Sequence, residues 1–264
     1  DVLLQLQNIL LMKKICILIL LSMLLLNISC SSSILKDENN SSHFLDEDGV
    51  SALADPTQIP TATASPEIHL ETANELLFSG DLEKALSEYN AAFQNSKDSE
   101  IKANALYGIG RVSLAKRDYS AAIDAFNRIL GQYAQTEIIP YTYFLLGTCY
   151  EKQEEFAQAA NAYAQFQKLK PGILDGDVFL REAEAASQAG DHFGAIYALQ
   201  AAAQANPAPD IATINLKIGQ EYTALNDYNT AIQYFLSAYD LASTEYQKAS
   251  ADLLAGEAYL QLGQ

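Results

Sequence analysis

One segment recurs five times along the chain at a nearly constant interval. Its copies read GDLEKALSEY, RDYSAAIDAF, EEFAQAANAY, GDHFGAIYAL and NDYNTAIQYF, at residues 80–89, 117–126, 154–163, 190–199 and 226–235. Their matched alanines, separated by 37, 37, 36 and 36 residues, are Ala85, Ala122, Ala159, Ala195 and Ala231. A fixed period of this length is typical of a structure that stacks one small unit, so the pattern predicts a repeat array.

Each interval has room for two helices and a turn. From residue 66 onward, apolar residues recur at spacings i, i+3, i+4 and i+7, which indicates amphipathic helices. A second recurring segment precedes most copies of the first and reads LYGIGRVSL, YFLLGTCYE, LKIGQEYTA and LLAGEAYLQ (106–114, 143–151, 216–224 and 253–261). Gly80-Asp81 and Gly190-Asp191 favour a turn between the two helices. Pro171 and Pro207 are expected to end the second helix.

Small residues occupy fixed positions in both helices of the unit. Gly110, Gly147 and Gly219 lie inside the first helix, where glycine costs about 1 kcal/mol relative to alanine. This cost predicts the close approach of a neighbouring helix. Four aromatic residues of the second helices are then expected to fill the space between adjacent hairpins: Tyr89, Phe126, Tyr163 and Phe235. Because one hairpin cannot bury its apolar face alone, stability is expected to come from stacking.

These residues resemble the tetratricopeptide repeat, a helix–turn–helix of about 34 residues. In the third unit, the residues at the family's Leu-Gly, Tyr, Ala, Phe/Tyr and Pro positions are Leu146-Gly147, Tyr150, Ala159, Tyr163 and Pro171. The fifth unit has Ile218-Gly219, Tyr222, Ala231 and Phe235 at these positions. The resemblance covers about three quarters of the chain. It implies an all-α fold, a right-handed superhelical α-solenoid of stacked hairpins.

The repeat positions set the expected domain limits. The solenoid spans 66–264, with units at about 66–99, 103–136, 140–173, 176–209 and 212–245 and a partial sixth unit from 249. The structural repeat positions are Ala85, Gly110, Ala122, Gly147, Tyr150, Ala159, Ala195, Gly219, Tyr222, Ala231 and Gly256.

The start of the chain has a different character. Met12-Lys13-Lys14 and the apolar run at 15–26 have the form of a secretory signal, and the run is shorter than the ~20 residues of a spanning helix. Residues 1–11 are then an upstream extension. The end of the run, Ser29-Cys30, resembles a bacterial lipoprotein signal. This resemblance implies that residues 12–29 are removed and that Cys30 is acylated.

Residues 30–65 are rich in Ser, Asn, Asp, Pro and Thr, a composition that predicts a disordered tether. Lipid at its beginning would attach the repeats to the bacterial cell membrane or outer membrane, facing outside the cytoplasm, since each buried methylene contributes about 0.8 kcal/mol. After cleavage only Cys30 and Cys149 remain, and a lipidated Cys30 leaves no partner for an intrachain disulfide. The net charge of −17 argues against nucleic acid as a partner.

The residue pattern contains no catalytic constellation. The three histidines, His43, His69 and His192, lack a metal-ligand spacing with carboxylates or thiols. Cys149 has no nearby histidine in the sequence and is predicted to be a small core residue. We therefore expect no catalytic residue, no metal and no cofactor in these 264 residues.

The family resemblance implies a surface that binds protein partners, because the first helices of such solenoids line the concave face. Carried onto this sequence, the partner-contacting residues are Asn104, Tyr107, Arg111, Tyr141, Phe144, Thr148, Leu216 and Gln220. Ordinary packing between hairpins is the open alternative for all eight residues. Tyrosine and arginine are common anchors of interfaces, which favours the binding interpretation for some of them.

Two functions follow from these features. The leading hypothesis is a lipid-anchored scaffold that binds protein partners in the bacterial cell envelope. The alternative is the N-terminal helical arm of a lytic transglycosylase. Residues 253–263 read as the first helix of an incomplete unit, so a catalytic domain that acts on peptidoglycan would lie beyond residue 264.

Overall fold

The computed structural model describes residues 64–264, which form eleven α-helices. The predictions of an upstream extension, a signal peptide, an acylated Cys30 and a tether up to residue 63 lie outside the described residues. In chain order the helices are α1 (Pro66–Ser79), α2 (Leu82–Asn95), α3 (Ser99–Ala115), α4 (Tyr119–Gln132), α5 (Ile139–Lys152), α6 (Phe156–Leu169), α7 (Asp175–Gln188), α8 (His192–Gln204), α9 (Ile211–Ala224), α10 (Tyr228–Leu241) and α11 (Glu245–Gln261).

The helices pack in consecutive pairs, and each pair packs on the next. The odd-numbered helices are the first members of the pairs and are called A helices, and α2, α4, α6, α8 and α10 are called B helices. Two pairs of neighbouring A helices also contact each other directly, namely α1 with α3 and α9 with α11. The predicted fold class is confirmed: the described residues form an all-α stack of helical hairpins.

Two A helices are one turn longer than the others and begin before the expected unit boundaries. α3 begins at Ser99, four residues before the boundary near 103, because the Asp98 side chain accepts hydrogen bonds from the backbone N–H groups of Glu100 (2.7 Å) and Ile101 (3.1 Å). α11 begins at Glu245, also four residues early, after a reciprocal cap between Thr244 and Gln247.

One turn conformation recurs between each A helix and its B helix. A residue in the left-handed region precedes an acidic residue, which occupies the N-cap of the B helix. The left-handed residues are Gly80, Arg117, Glu154, Gly190 and Asn226, with φ between 60° and 85°. In four of the five turns the side chain of an aspartate accepts a hydrogen bond from the third backbone N–H of the B helix. These aspartates are Asp81, Asp118, Asp191 and Asp227. In four hairpins the turn therefore provides the same hydrogen-bond acceptor for an unpaired N–H group at the start of the B helix.

The repeated alanines form the centre of the stack. Each of the five is fully buried, and they are Ala85, Ala122, Ala159, Ala195 and Ala231. Cys149 is also fully buried in a cluster with Leu106, Phe126 and Leu146. Burial raises the pKa of the Cys149 thiol to about 12. The cysteine is therefore a core residue of the third hairpin, as its sequence context predicted.

The glycines of the A helices face aromatic rings of the B helices. A Cβ at Gly110 would collide with Phe126, and a Cβ at Gly219 would collide with Phe235. Both rings lie within the same hairpin as their glycine, and each also belongs to a buried cluster that includes residues of the next hairpin. The rings therefore pack within their own hairpin as well as between hairpins. Tyr89 likewise reaches the next hairpin, where its ring lies against Gly108. The first hairpin has Ala73, not glycine, at the position that corresponds to Gly110.

Candidate functional site

Two rows of residues follow one face of the A helices. The first row is apolar and consists of Leu70, Tyr107, Phe144, Leu180, Leu216 and Leu253. The second row is polar, lies four residues later in each helix, and consists of Asn74, Arg111, Thr148, Glu184, Gln220 and Glu257. Residues four apart share one face of a helix. We call these two rows together the A-helix face.

Residues of the polar row make hydrogen bonds to a neighbouring A helix in two places, once within the row and once with a lysine beside it. Arg111 Nη1 on α3 donates a hydrogen bond to Asn74 Oδ1 on α1 at 3.5 Å. Lys217 Nζ on α9 donates to Glu184 Oε2 on α7 at 3.2 Å. This hydrogen bond lowers the pKa of the Glu184 carboxyl. Polar side chains from adjacent hairpins thus meet on one surface.

Three aromatic residues lie in or next to the middle of the A-helix face, each beside a cation. Tyr107, Tyr141 and Phe144 are called the aromatic cluster. The Arg111 guanidinium carbon lies 6.0 Å from the centre of the Tyr107 ring, the Arg181 carbon 5.8 Å from the Phe144 ring, and Lys170 Nζ 5.6 Å from the Tyr141 ring. Cations at these distances are attracted to the ring faces. The Tyr141 side chain, 39% exposed, is available to a partner.

A partly buried hydrogen-bond network lies beside the Phe144 ring of the aromatic cluster. The Tyr163 hydroxyl donates to Glu151 Oε2 at 2.8 Å, and Arg181 Nη1 donates to the same oxygen at 3.3 Å. The Tyr163 ring packs against Phe144 with ring centres 5.8 Å apart. Burial raises the pKa of Tyr163 to about 12, so its hydroxyl keeps its proton. The network therefore joins α5, α6 and α7 beside the Phe144 ring.

Six of the eight predicted contact residues lie on α3 and α5. Five of these six lie in and around the aromatic cluster: Tyr107, Arg111, Tyr141, Phe144 and Thr148. Asn104 is half-buried and donates to the carbonyl of Glu100 in its own helix at 2.9 Å. Leu216 is half-buried against the core around Phe235. The packing interpretation therefore suits Asn104 and Leu216 better than the binding interpretation.

Gln220 is exposed and lies at a second feature of the A-helix face, a cavity of about 330 Å³ between α7, α8 and α9. Its lining also includes Glu184, Lys217 and His192, and His192 Nδ1 lies 2.7 Å from Glu221 Oε2. The sequence interpretation missed Lys170 and Arg181 as cations of the face. Arg181 had a signal, because it follows the apolar position of α7 directly, whereas Lys170 reaches Tyr141 only through the folded loop.

The described residues offer neither a metal centre nor a membrane span. Between residues 64 and 264, no group of three or more His, Cys, Asp or Glu side chains has the geometry to hold a metal ion. Within the same range, no helix combines the length and the apolar character needed to cross a membrane.

This geometry defines the class of protein: an α-solenoid built from helical hairpins with a partly exposed A-helix face. Three models of the tetratricopeptide repeat match the sequence, over residues 70–136, 141–172 and 212–245. Together these matches cover about half of the chain. The chain is a tetratricopeptide repeat protein, and repeats of this family bind protein partners.

Solved structures of other repeat proteins have the same fold. YrrB, described as a TPR protein with an unusual peptide-binding site, is 23% identical with a TM-score of 0.55, and the match covers 70% of this chain and 90% of YrrB. MamA from Desulfovibrio magneticus RS-1 is 19% identical with a TM-score of 0.52, over 67% of this chain and 94% of MamA. At these identities the likeness shows the fold alone. No protein of curated function matches the chain.

Proposed function

We propose that the chain is a scaffold that holds an extended segment of a protein partner along the A-helix face. The observation that carries the proposal is the aromatic cluster, where three rings on two adjacent A helices are each lined by a cation. Exposed aromatic and arginine side chains are common anchors of protein interfaces. The peptide-binding site named for YrrB supports a peptide as the kind of ligand.

The two rows of the A-helix face suit an extended ligand. Packed helices lie about 8–10 Å apart, and a polyproline-type segment advances about 9 Å in three residues. One side chain in every three residues of the ligand therefore meets a new A helix. The ligand's apolar side chains would contact Tyr107 and Phe144, while Arg111 and Gln220 would donate hydrogen bonds to its backbone carbonyls.

The test is a photocrosslinking amino acid at Gln220, which is exposed beside the proposed path of the ligand. A crosslinked partner is then measured for affinity against Arg111→Ala and Tyr141→Ala. We expect each variant to weaken binding by about tenfold, the effect of a moderate interface anchor. Tyr197→Ala is the matched control, because Tyr197 is 72% exposed on the B helix α8. Equal affinities for Tyr141→Ala and Tyr197→Ala would overturn the proposal.

We further propose that this scaffold is anchored to the bacterial cell envelope by lipid on Cys30. The support is the sequence alone: the short apolar run at 15–26, the Ser29-Cys30 ending and the polar residues that follow. Cys30→Ser is expected to move the protein from the membrane fraction to the soluble exported fraction, while Cys149→Ser stays with the membrane. A Cys30→Ser protein that remains in the membrane fraction would contradict lipid anchoring without affecting the proposed ligand face.

A further inference from the structure

A second cavity, of about 280 Å³, lies between α6, α7 and the beginning of α8. It is separate from the aromatic cluster and from the cavity at Gln220. Five alanines line it, together with the polar residues Asn161, Glu182 and Asp191 and with Gly194: Ala157, Ala160, Ala164, Ala186 and Ala189. The lining is thus apolar and small, with acceptor groups at a few points.

Three substitutions in the repeat pattern create this cavity. Ala186 occupies the position at which the third and fifth units have Tyr150 and Tyr222. Ala160 follows its repeat alanine directly, where the four other units have Leu86, Ile123, Ile196 and Ile232. Glu182 stands where three other A helices have Ile109, Leu146 and Ile218. At two of these positions a large side chain is absent, and at the third a carboxyl group replaces an apolar side chain. All three positions line the same cavity.

One oxygen of the Glu182 carboxyl group lacks a hydrogen-bond donor within the described part of the chain. Its Oε2 atom is buried and has no hydrogen-bond partner among residues 64–264. Burial raises the pKa of this carboxyl to about 7. Asp191 is the other ionisable residue in the lining, and its Oδ1 accepts the backbone N–H of Gly194 at 2.9 Å. A carboxyl group with a buried, unpaired oxygen is unfavourable, and a cation beside the carboxylate offsets part of that cost.

We propose that this cavity binds one alkylammonium group, such as the lysine side chain of a partner protein. The ammonium pairs with the Glu182 carboxylate, and the methylene stem of the lysine contacts the alanine methyl groups. Lysine suits the space because it carries a compact charge with three donors on a flexible four-carbon stem. The net charge of −17 attracts basic partners to the whole molecule. This site and the A-helix face are independent proposals.

The probe is n-butylammonium chloride, titrated into the full-length ¹⁵N-labelled protein and followed by amide chemical shifts. We expect saturable shifts confined to α6, α7 and the beginning of α8 at pH 8, with about tenfold weaker binding at pH 6. The reason is that Glu182 is ionised at pH 8 and mostly protonated at pH 6, while the amine, with a pKa near 10, stays charged at both. Sodium chloride at equal ionic strength is the reference titration.

Two variants make the test specific. Ala186→Tyr restores the tyrosine of the neighbouring units and fills the cavity, and Glu182→Gln keeps the shape but removes the charge. Both are expected to abolish the saturable shifts, and Glu182→Gln keeps the test valid if Ala186→Tyr does not fold. The matched control is Asp177→Asn on the same helix, an exposed carboxylate outside the lining of the cavity, which should bind as the native protein does. Shifts equal to those with sodium chloride, or unchanged in Glu182→Gln, would overturn the proposal.

Discussion

The ring of Tyr163 occupies the space that a side chain at Gly147 would need. A Cβ at Gly147 would lie 2.6 Å from Cε1 of that ring, which is closer than carbon atoms can approach. Phe126 and Phe235 stand over Gly110 and Gly219 in the same way. These three glycines of the A helices are therefore needed for packing, at a cost in helix propensity.

Gly147→Ala is expected to lower the free energy of unfolding by about 1–3 kcal/mol, because the Tyr163 ring must leave its rotamer or the helices must separate. Urea unfolding followed by circular dichroism measures the change. Gly256→Ala is the matched control, since this glycine also lies inside an A helix but has no atom within 4 Å of the added Cβ. It should stabilise the protein by up to about 1 kcal/mol. A Gly147→Ala protein as stable as Gly256→Ala would refute the steric explanation.

The double variant Gly147→Ala with Tyr163→Leu is expected to recover part of the stability lost in Gly147→Ala. The fourth hairpin already contains this combination, because Ala183 and Leu199, both buried, occupy the two corresponding positions. The recovery is measured as the coupling energy of a double-mutant cycle from the same urea curves. A coupling energy near zero would show that the two positions do not share the space.

The Glu182 carboxyl should make stability depend on pH. Its folded pKa, about 7, is above the ordinary value of 4.5, so the folded state holds the proton more tightly than the unfolded state does. Its contribution is therefore fully present below pH 4.5 and is lost as the pH rises to 7. We expect a loss of at most about 2 kcal/mol after allowance for partial exposure.

The measurement compares urea unfolding at pH 5 and pH 8 for the native protein and for Glu182→Leu. The variant should be more stable at pH 8 and should lose less stability between the two values. Glu184→Gln serves as the control, because its exposed carboxyl leaves the pH dependence from Glu182 intact. Identical pH dependence in the native protein and Glu182→Leu would show that the carboxyl is not held in a dry site.

Glu154→Gly is expected to stabilise the protein by about 0.5–1 kcal/mol. Glu154 has a φ of 60°, in the left-handed region that glycine adopts without steric cost, and two of the other turns have glycine there. Thermal unfolding measures the change. Gln158→Gly is the control, because Gln158 is exposed and lies within α6. This variant should lower the free energy of unfolding by less than about 1 kcal/mol. A destabilised Glu154→Gly would mean that the turn does not keep this conformation in solution.

Cys149 is expected to react with iodoacetamide only when its hairpin opens. The thiol is fully buried and its pKa of about 12 leaves almost no thiolate at pH 8. Peptide mapping by mass spectrometry, which separates Cys149 from the other cysteines, should show modification at least a hundredfold slower in buffer than in 8 M urea. Comparable rates in the two conditions would contradict burial of the thiol.

Periodicity carried most of the fold prediction. The five alanines could be identified because each repeat places the same small residue at the same buried contact, and this regularity is visible in one sequence. The helix starts at Ser99 and Glu245 were missed, because capping by Asp98 and by Thr244 with Gln247 extends those helices beyond the average unit.

The candidate sites were less accessible to sequence analysis. Tyr107, Arg111 and Tyr141 could be transferred from the repeat pattern, but the Lys170 contact with Tyr141 depends on the path of a loop. The cavity at Glu182 could not be predicted in advance, because Ala160 and Ala186 are more than twenty residues apart and only stacking brings them to one space. The exceptions at these positions are visible when equivalent residues of the units are compared. They predict a cavity only once the structure shows which of these positions contact each other.

The pairing of ring and glycine within one hairpin has a consequence for how such a chain can change length. A duplicated stretch of about 37 codons encodes both members of the pair, as Gly147 and Tyr163 illustrate, so an added unit arrives with its internal fit complete. The first hairpin is different, since Tyr89 relies on Gly108 of its neighbour. Gene duplication or deletion is therefore least disruptive among the third and fifth units and most disruptive at the junction of the first and second.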